Sequence, residues 1–281
     1  MDKTLYVSDL DGTLLNRQSR LSKFTLEALN RLLREGMLFT FATARSWHSA
    51  REVASGLSPV LPWVVHNGAF VVDGVTGGRR WEEFFPPEQR ELVLAAGEEL
   101  GLHPLAYAVI DGQERVLYLE EGGPRHPGME RYLSKRKGDR RLLPVKSPQE
   151  LLREKAYYFT FIDDQERLAP LWERVRGLKG LNITFQRELY REEYYLEITP
   201  RRATKACAAL RLKEDLGCDR LVAFGDAMND LPLFAAADES YAVENAMPEV
   251  KAAATGIIGS NQEDGVARFL LEQMGKTEGM G

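Results

Sequence analysis

Two carboxylates stand two residues apart near the start of this 281-residue chain, in the run Asp9-Leu10-Asp11-Gly12-Thr13-Leu14-Leu15, directly after the apolar stretch Leu5-Tyr6-Val7. In an extended strand, side chains two apart point the same way, so Asp9 and Asp11 can face one reaction centre while Leu10 turns into the core. Gly12 lets the backbone turn sharply behind them. An Asp so placed can serve as a nucleophile or a metal ligand, and a second carboxylate beside it can move a proton. The pattern Asp-x-Asp-Gly also occurs in calcium loops and in ordinary capped turns, and the run by itself leaves these readings open.

Three later segments bear on the choice: Phe41-Ala42-Thr43-Ala44-Arg45, Thr199-Pro200-Arg201-Arg202-Ala203-Thr204-Lys205 and Gly225-Asp226-Ala227-Met228-Asn229-Asp230. In order and character the four runs resemble the four motifs of the haloacid dehalogenase (HAD) superfamily, and among its members the Cof-type small-molecule phosphatases. The matches reach from residue 9 to residue 230, and the gap between the second and third is wide enough for an inserted cap. The resemblance implies a magnesium-dependent phosphatase that hydrolyses a small phosphorylated metabolite, with sugar phosphates the leading class, through an aspartyl-phosphate intermediate.

Residue by residue, the resemblance implies that Asp9 attacks the phosphorus while Asp11 protonates the leaving alcohol and then deprotonates water. It assigns phosphate binding to Leu10, Thr43, Ala44, Lys205 and Asn229, and the metal to Asp9, Asp226 and the backbone carbonyl of Asp11. An anionic nucleophile meeting an anionic phosphate needs positive charge nearby, and hard oxygen ligands suit Mg2+. Lys205 opens a helix after Thr204, where anions are already favoured. Arg45 is expected at the phosphate or at the substrate's polar body. Asp230 is expected to support the metal site from behind, with direct ligation as the alternative. Ala44 stands where the family has Gly, which implies a slightly different backbone there, and Ala206 replaces the family's Gly after the lysine.

Other segments are weaker signals. Asn67-Gly68-Ala69, Asn245 and the stretch from Asn261 to Gly265 resemble family loops but are equally good turn chemistry. His48 and His66 lie close in sequence to the motif loops, yet the implied mechanism asks for no histidine. The basic run Lys135-Arg136-Lys137-Gly138-Asp139-Arg140-Arg141 reads as a solvated cap face, with attraction of a second phosphate as the alternative. Two other functions stay open: a phosphomutase of the same superfamily, and a binding protein that keeps the fold without turnover.

Composition narrows the field. An apolar content of 44% is ample for buried cores, and a net charge of −5 argues against a general nucleic-acid binder. No apolar run approaches a membrane span, and Asp9 and Asp11 interrupt the first one, so the expectation is a cytoplasmic protein with small-molecule chemistry; the resemblance implies a small-molecule phosphate ester as its partner, and no obligate protein partner is expected. The two cysteines, Cys207 and Cys218, lack metal-like spacing and read as structural thiols.

The elements that must position these residues alternate between strand and helix up to about residue 83 and again from Thr204. This predicts an α/β fold, a Rossmann-like doubly wound parallel sheet. Ser22 caps a helix bearing Leu26, Leu29, Leu32 and Leu33 on one face, and Gly36 ends it. At Pro86-Pro87 the pattern changes to a mixed α+β stretch with strands near Leu105, Val116, Tyr157, Ile183 and Tyr194. The expected division is a core of residues 1–84 and 199–281 around an inserted α+β cap of residues 85–198.

Overall fold

The computed structural model describes residues 3–120, 125–187 and 192–278. Local chemistry sets the first elements. The buried strand β1 (Thr4–Ser8) leads through a wide turn and a second, tighter one around Asn16–Arg20 to α1 (Lys23–Arg34), whose N-terminus is closed by the Ser22 hydroxyl accepting the Thr25 N–H at 2.9 Å. After β2 (Leu38–Phe41), Ser46 caps α2 (Trp47–Val53) in the same way. Strands β3 (Trp63–Val65), β4 (Phe70–Val72) and β5 (Arg79–Glu82) then form an antiparallel trio.

Next come α3 (Pro87–Glu98), β6 (Leu105–Ile110), β7 (Gln113–Leu119), α4 (Pro127–Ser134), β8 (Leu142–Val145), β9 (Ala156–Asp163), α5 (Gln165–Val175), β10 (Leu181–Arg187) and β11 (Tyr194–Pro200). The remaining elements are α6 (Lys205–Asp215), β12 (Arg220–Gly225), α7 (Leu231–Ala236), β13 (Glu239–Val243), α8 (Pro248–Ala253), β14 (Gly256–Ile258) and α9 (Gly265–Glu278).

The chain divides into two compact units, Met1–Glu82 with Thr204–Gly281, and Glu83–Ala203. The first is built on a parallel sheet in the order β14-β13-β12-β1-β2. Strands β1 and β12 lie in its middle, with Ser8 opposite Phe224, so both strands end at the same level. Val7 and Ser8, which point to opposite faces, are both fully buried, as are Ala223 and Phe224. A sheet covered on both sides is what an all-parallel arrangement requires. Helices α1 and α9 pack together, as do α6 and α7.

The second unit has its own core. Its sheet runs β10-β11-β9-β6-β7-β8, antiparallel throughout except for the β7–β8 pair. Phe159 and Phe161 of β9 join Leu196, Ile198 and Leu117 under Val93 of α3 and Leu168 and Leu171 of α5. The alternate face carries Ile162 and Leu105 beneath Met129 of α4. The strand β11 remains paired to its end, Pro200 opposite Leu181, so the break between units falls after Ala203 and not at the expected residue 198.

Helices α4 and α8 and strand β8 were not among the expected elements. Helix α4 buries only Gly128 and Met129, and β8 is an edge strand that carries Pro144. Neither leaves a clear apolar period, and proline is tolerated only because β8 has one free edge. Cys207 and Cys218 are free thiols, exposed and buried respectively. No helix among the described residues is long and apolar enough to cross a membrane.

One glycine sets how closely the loop after β3 approaches the third motif. Gly68 has φ +96°, and a Cβ there would stand 2.2 Å from the carbonyl oxygen of Thr204, just ahead of Lys205. Gly68→Ala is therefore expected to cost about 2 kcal/mol or more, read as a lower urea midpoint at unchanged m. Gly36→Ala, with φ +92° but nothing within 4 Å, isolates the backbone contribution and should cost less.

Candidate active site

The ends of β1 and β12 and the start of α6 converge on one buried ion cluster. Asp9 follows β1 directly, its N–H bonded to Phe224 O at 2.9 Å. The Thr204 hydroxyl accepts the Cys207 N–H at 3.1 Å, which starts α6 with Lys205 as its first residue. Lys205 is only 2% exposed, and its Nζ donates to Asp9 Oδ1 at 2.5 Å and to Asp230 Oδ1 at 2.7 Å. The other oxygen of Asp230 accepts the backbone N–H groups of Asp226 and Ala227 at 3.0 and 3.1 Å. Both Asp230 oxygens are thus engaged, whereas Asp9 Oδ2 accepts no hydrogen bond among the described residues.

Burial and like charge act on these groups together. Desolvation pushes the Asp9 carboxyl up to about 7, aided by Asp230 and Asp226 and opposed by Lys205. Desolvation also raises Asp226 to about 6, against the bond from Thr13. Burial alone would disfavour the Lys205 ammonium, but Asp9 and Asp230 outweigh it and hold its pKa above the ordinary lysine value.

The loop after Asp9 is a wide turn over Leu10–Leu14, closed by the Leu15 N–H on Leu10 O at 2.8 Å. Leu10 is fully buried, so only its backbone can face a ligand. Gly12, at φ +80°, passes so close to Asp226 that a Cβ would lie 2.2 Å from Asp226 Oδ2. Thr13 holds the same carboxylate from the side, its hydroxyl donating to Asp226 Oδ1 at 2.7 Å. Asn245 donates to Gly12 O at 2.7 Å, and Asn261 to Leu15 O at 2.8 Å.

Thr43 follows β2, fully buried, with its hydroxyl accepting the Arg45 N–H at 3.1 Å. Ala44 is exposed. Arg45 donates from Nε and Nη2 to the two oxygens of Asp11, at 2.7 and 2.6 Å. Asn229 is exposed, and its amide donates to Asn67 Oδ1 at 3.4 Å. His66, Asn67 and Gly68 all have positive φ, and the N–H groups of His66 and Asn67 bond to the carbonyls of Arg45 and Thr43. His48 is exposed and makes a ring contact with Trp47.

The structure thus gathers Asp9, Asp226 and Lys205 at one point and sets Asp11 with Arg45. Sequence reasoning did not single out Thr13 or the Asn245–Asn261 pair as supports of the loop. Thr13 lies within the turn, beyond Gly12, where the strand alternation that aligns Asp9 with Asp11 no longer applies, so its contact with Asp226 left no signal in the spacing.

Asp9, Asp226 and Asp230 offer carboxylate oxygens that all lie within 4.8 Å of one another. Three carboxylates against the one Lys205 ammonium leave an excess of two negative charges, and with Asp230 fully engaged the open acceptors are on Asp9 and Asp226. Hard oxygens with uncompensated charge fit a divalent cation. A second trio, His126, Asp163 and Asp164, lies in the other unit. There His126 Nδ1 accepts the Gly128 N–H, so in the neutral ring the proton is on Nε2, which faces Asp164, and no lone pair is left for a metal. A cavity of about 260 Å³ beside that trio, with Leu102, Met129, Phe161 and Arg167 in its wall, contains none of the motif residues. Chemistry, not cavity shape, therefore locates the candidate site.

Asp230→Ala removes one of the two carboxylates on Lys205, leaving Asp9 alone against its charge, and takes the acceptor from two backbone N–H groups, so it is expected to cost about 3 kcal/mol or more in a denaturant titration. Asp9 and Asp226 hold their protons more tightly in the fold than at the ordinary value of 3.8, so their contribution to stability is complete at low pH and is lost as pH rises through about 6 and about 7. A divalent cation that offsets the exposed charge should therefore raise the melting temperature more at about pH 8 than at about pH 5. An equal rise at both pH values would place the cation elsewhere.

Comparison with known proteins agrees with this geometry. The family of haloacid dehalogenase-like hydrolases matches residues 6–270. The chain is 25% identical to the 5-amino-6-(5-phospho-D-ribitylamino)uracil phosphatase YwtE of Bacillus subtilis, over 93% of this chain and 95% of that protein. It is 27% identical to the HMP-PP phosphatase of Yersinia enterocolitica, over 93% and 92% of the two chains. Among solved structures, TM0651 from Thermotoga maritima superposes with a TM-score of 0.74 at 26% identity, covering 97% of each chain. With the match running through every motif from Asp9 to Asp230, the chain belongs to the haloacid dehalogenase-like hydrolase family.

Proposed function

We propose that this protein is a Mg2+-dependent phosphatase of small phosphorylated metabolites, acting through an aspartyl-phosphate. The observation that carries the reading is the state of Asp9: one oxygen is fixed by the buried Lys205 and the other has no hydrogen-bond partner among the described residues. A carboxylate held in this way is aimed as a nucleophile, not spent as a structural ion pair.

In the first step Asp9 Oδ2 forms a bond to phosphorus as the ester P–O bond breaks, and the leaving alkoxide takes a proton from Asp11. In the second, water attacks the same phosphorus, gives its proton to Asp11, and the P–O bond to Asp9 breaks to restore the carboxylate. Lys205 offsets charge on Asp9 and on the transferring group, while the Thr43 hydroxyl, the Leu10 and Ala44 backbone and the Asn229 amide serve as its hydrogen-bond donors. Asp9 and Asp226, with the Asp11 carbonyl, would hold the Mg2+, and Thr13 and the Gly12 turn keep Asp226 in place for it. When bound, the cation supplies Lewis-acid stabilisation of the phosphoryl oxygens.

Substrate class follows the relatives: a phosphorylated ribityl chain, HMP-PP and sugar phosphates belong in one panel. The test is phosphate release from that panel with Mg2+ or with EDTA. The expected result is release by the wild type with Mg2+ alone, lost by about 10³-fold or more in Asp9→Asn, with that variant still folded. Interconversion of sugar-phosphate isomers without release would point to a mutase, and wild-type rates in Asp9→Asn would exclude the covalent mechanism. Lys205→Ala should also lose most activity.

A further inference from the structure

Arg45 commits its guanidinium to a neighbour in the motif loop. Nε and Nη2 fill both oxygens of Asp11, and Nη1 donates to the Ser49 hydroxyl of α2 at 2.9 Å. Its backbone is fixed as well, the N–H on Thr43 Oγ1 and the carbonyl accepting the His66 N–H at 2.9 Å. A continuous set of contacts therefore runs from α2 through Arg45 to the Asp11 carboxylate.

The two side chains differ in freedom. The Asp11 side chain is 49% exposed, against 23% for Arg45. A carboxylate open to water would sample several rotamers, and the planar fork removes that freedom because it matches both oxygens at once. Each oxygen keeps a further lone pair, so Asp11 can carry a proton on one of them to pass to a leaving group, and in its ionised form can accept one from a water molecule. Three of the five Arg45 N–H donors are already engaged, all within its own unit.

We infer that Arg45 is a positioning residue that acts on the reaction through Asp11 and does not grip the body of the substrate. The inference rests on the phosphatase reading, in which Asp11 moves the proton. It also separates two carboxylates that share one short run: Asp9 is set by a buried lysine, Asp11 by a half-buried arginine. Because the Arg45–Asp11 pair is open to solvent, it contributes little to stability, so its removal should leave folding almost untouched.

The experiment is a double-mutant cycle on p-nitrophenyl phosphate hydrolysis with Mg2+, using Arg45→Gln, Asp11→Asn and the double variant, with Arg45→Lys as the conservative change. Arg45→Gln is expected to lower kcat by about 10- to 100-fold while KM stays within about two-fold, since misplacing a catalytic group costs turnover and not binding. In the Asp11→Asn background the same change should cost less than about two-fold. Arg45→Lys should recover part of the loss, because one ammonium restores the charge but not the fork. Melting temperatures should match within about 2 °C. A raised KM at preserved kcat, or a full loss repeated in the Asp11→Asn background, would overturn the inference while leaving the phosphatase intact. A wild type that releases no phosphate from any substrate would remove both readings.

Discussion

The buried ammonium of Lys205 is the constraint around which the first unit is organised. Taking one such charge out of water costs several kcal/mol even after relaxation, and only well-placed acceptors offset that cost. The acceptors here come from Asp9 and Asp230, far from Lys205 and from each other in sequence. The sheet must therefore bring the end of β1, the end of β12 and the start of α6 to one point. Its register does this, with Ser8 level with Phe224 and the two motif loops leaving the strands side by side.

That arrangement also explains how a large insertion is tolerated. The residues that meet at Lys205 lie on both sides of the second unit in the chain, so the inserted segment must fold without drawing on the site's own packing. It does so with a separate core, in which Phe159, Phe161 and Leu196 are sealed by α3 and α5. The first unit in turn closes its own loops: Asn245 and Asn261, contributed after the insertion, bond to the backbone of the first motif, contributed before it. Each such bond satisfies a carbonyl that the wide turn cannot satisfy internally.

Much of this was legible in the sequence because the relevant signals are local. Carboxylates two apart after an apolar strand, a Thr before a Lys at a helix start, and an apolar-period helix after Ser22 each follow from backbone geometry alone. What stayed hidden depends on partners distant in the chain. Arg45 was expected at phosphate or substrate, and only the folded loop places it on Asp11. Helix α4 was missed because just two of its residues, Gly128 and Met129, are buried, which is too little to print a helical period on the sequence.

The two acids of the last motif show how environment sorts identical side chains. Asp226 and Asp230 stand four residues apart in one loop, and Asp230 is the more deeply buried. Yet Asp230 receives two backbone N–H groups and the Lys205 ammonium, so its charge is matched on every side. Asp226 receives a hydroxyl from Thr13 and the close passage of Gly12, neither of which carries a charge. One acid is therefore a fixed part of the scaffold, and the other retains unmet demand for a cation. Pairs of like groups whose surroundings drive them apart are how one fold assigns different tasks to the same chemistry. The same logic divides Asp9 from Asp11, so the site is specified less by its four aspartates than by the lysine, arginine, threonine and glycine set against them.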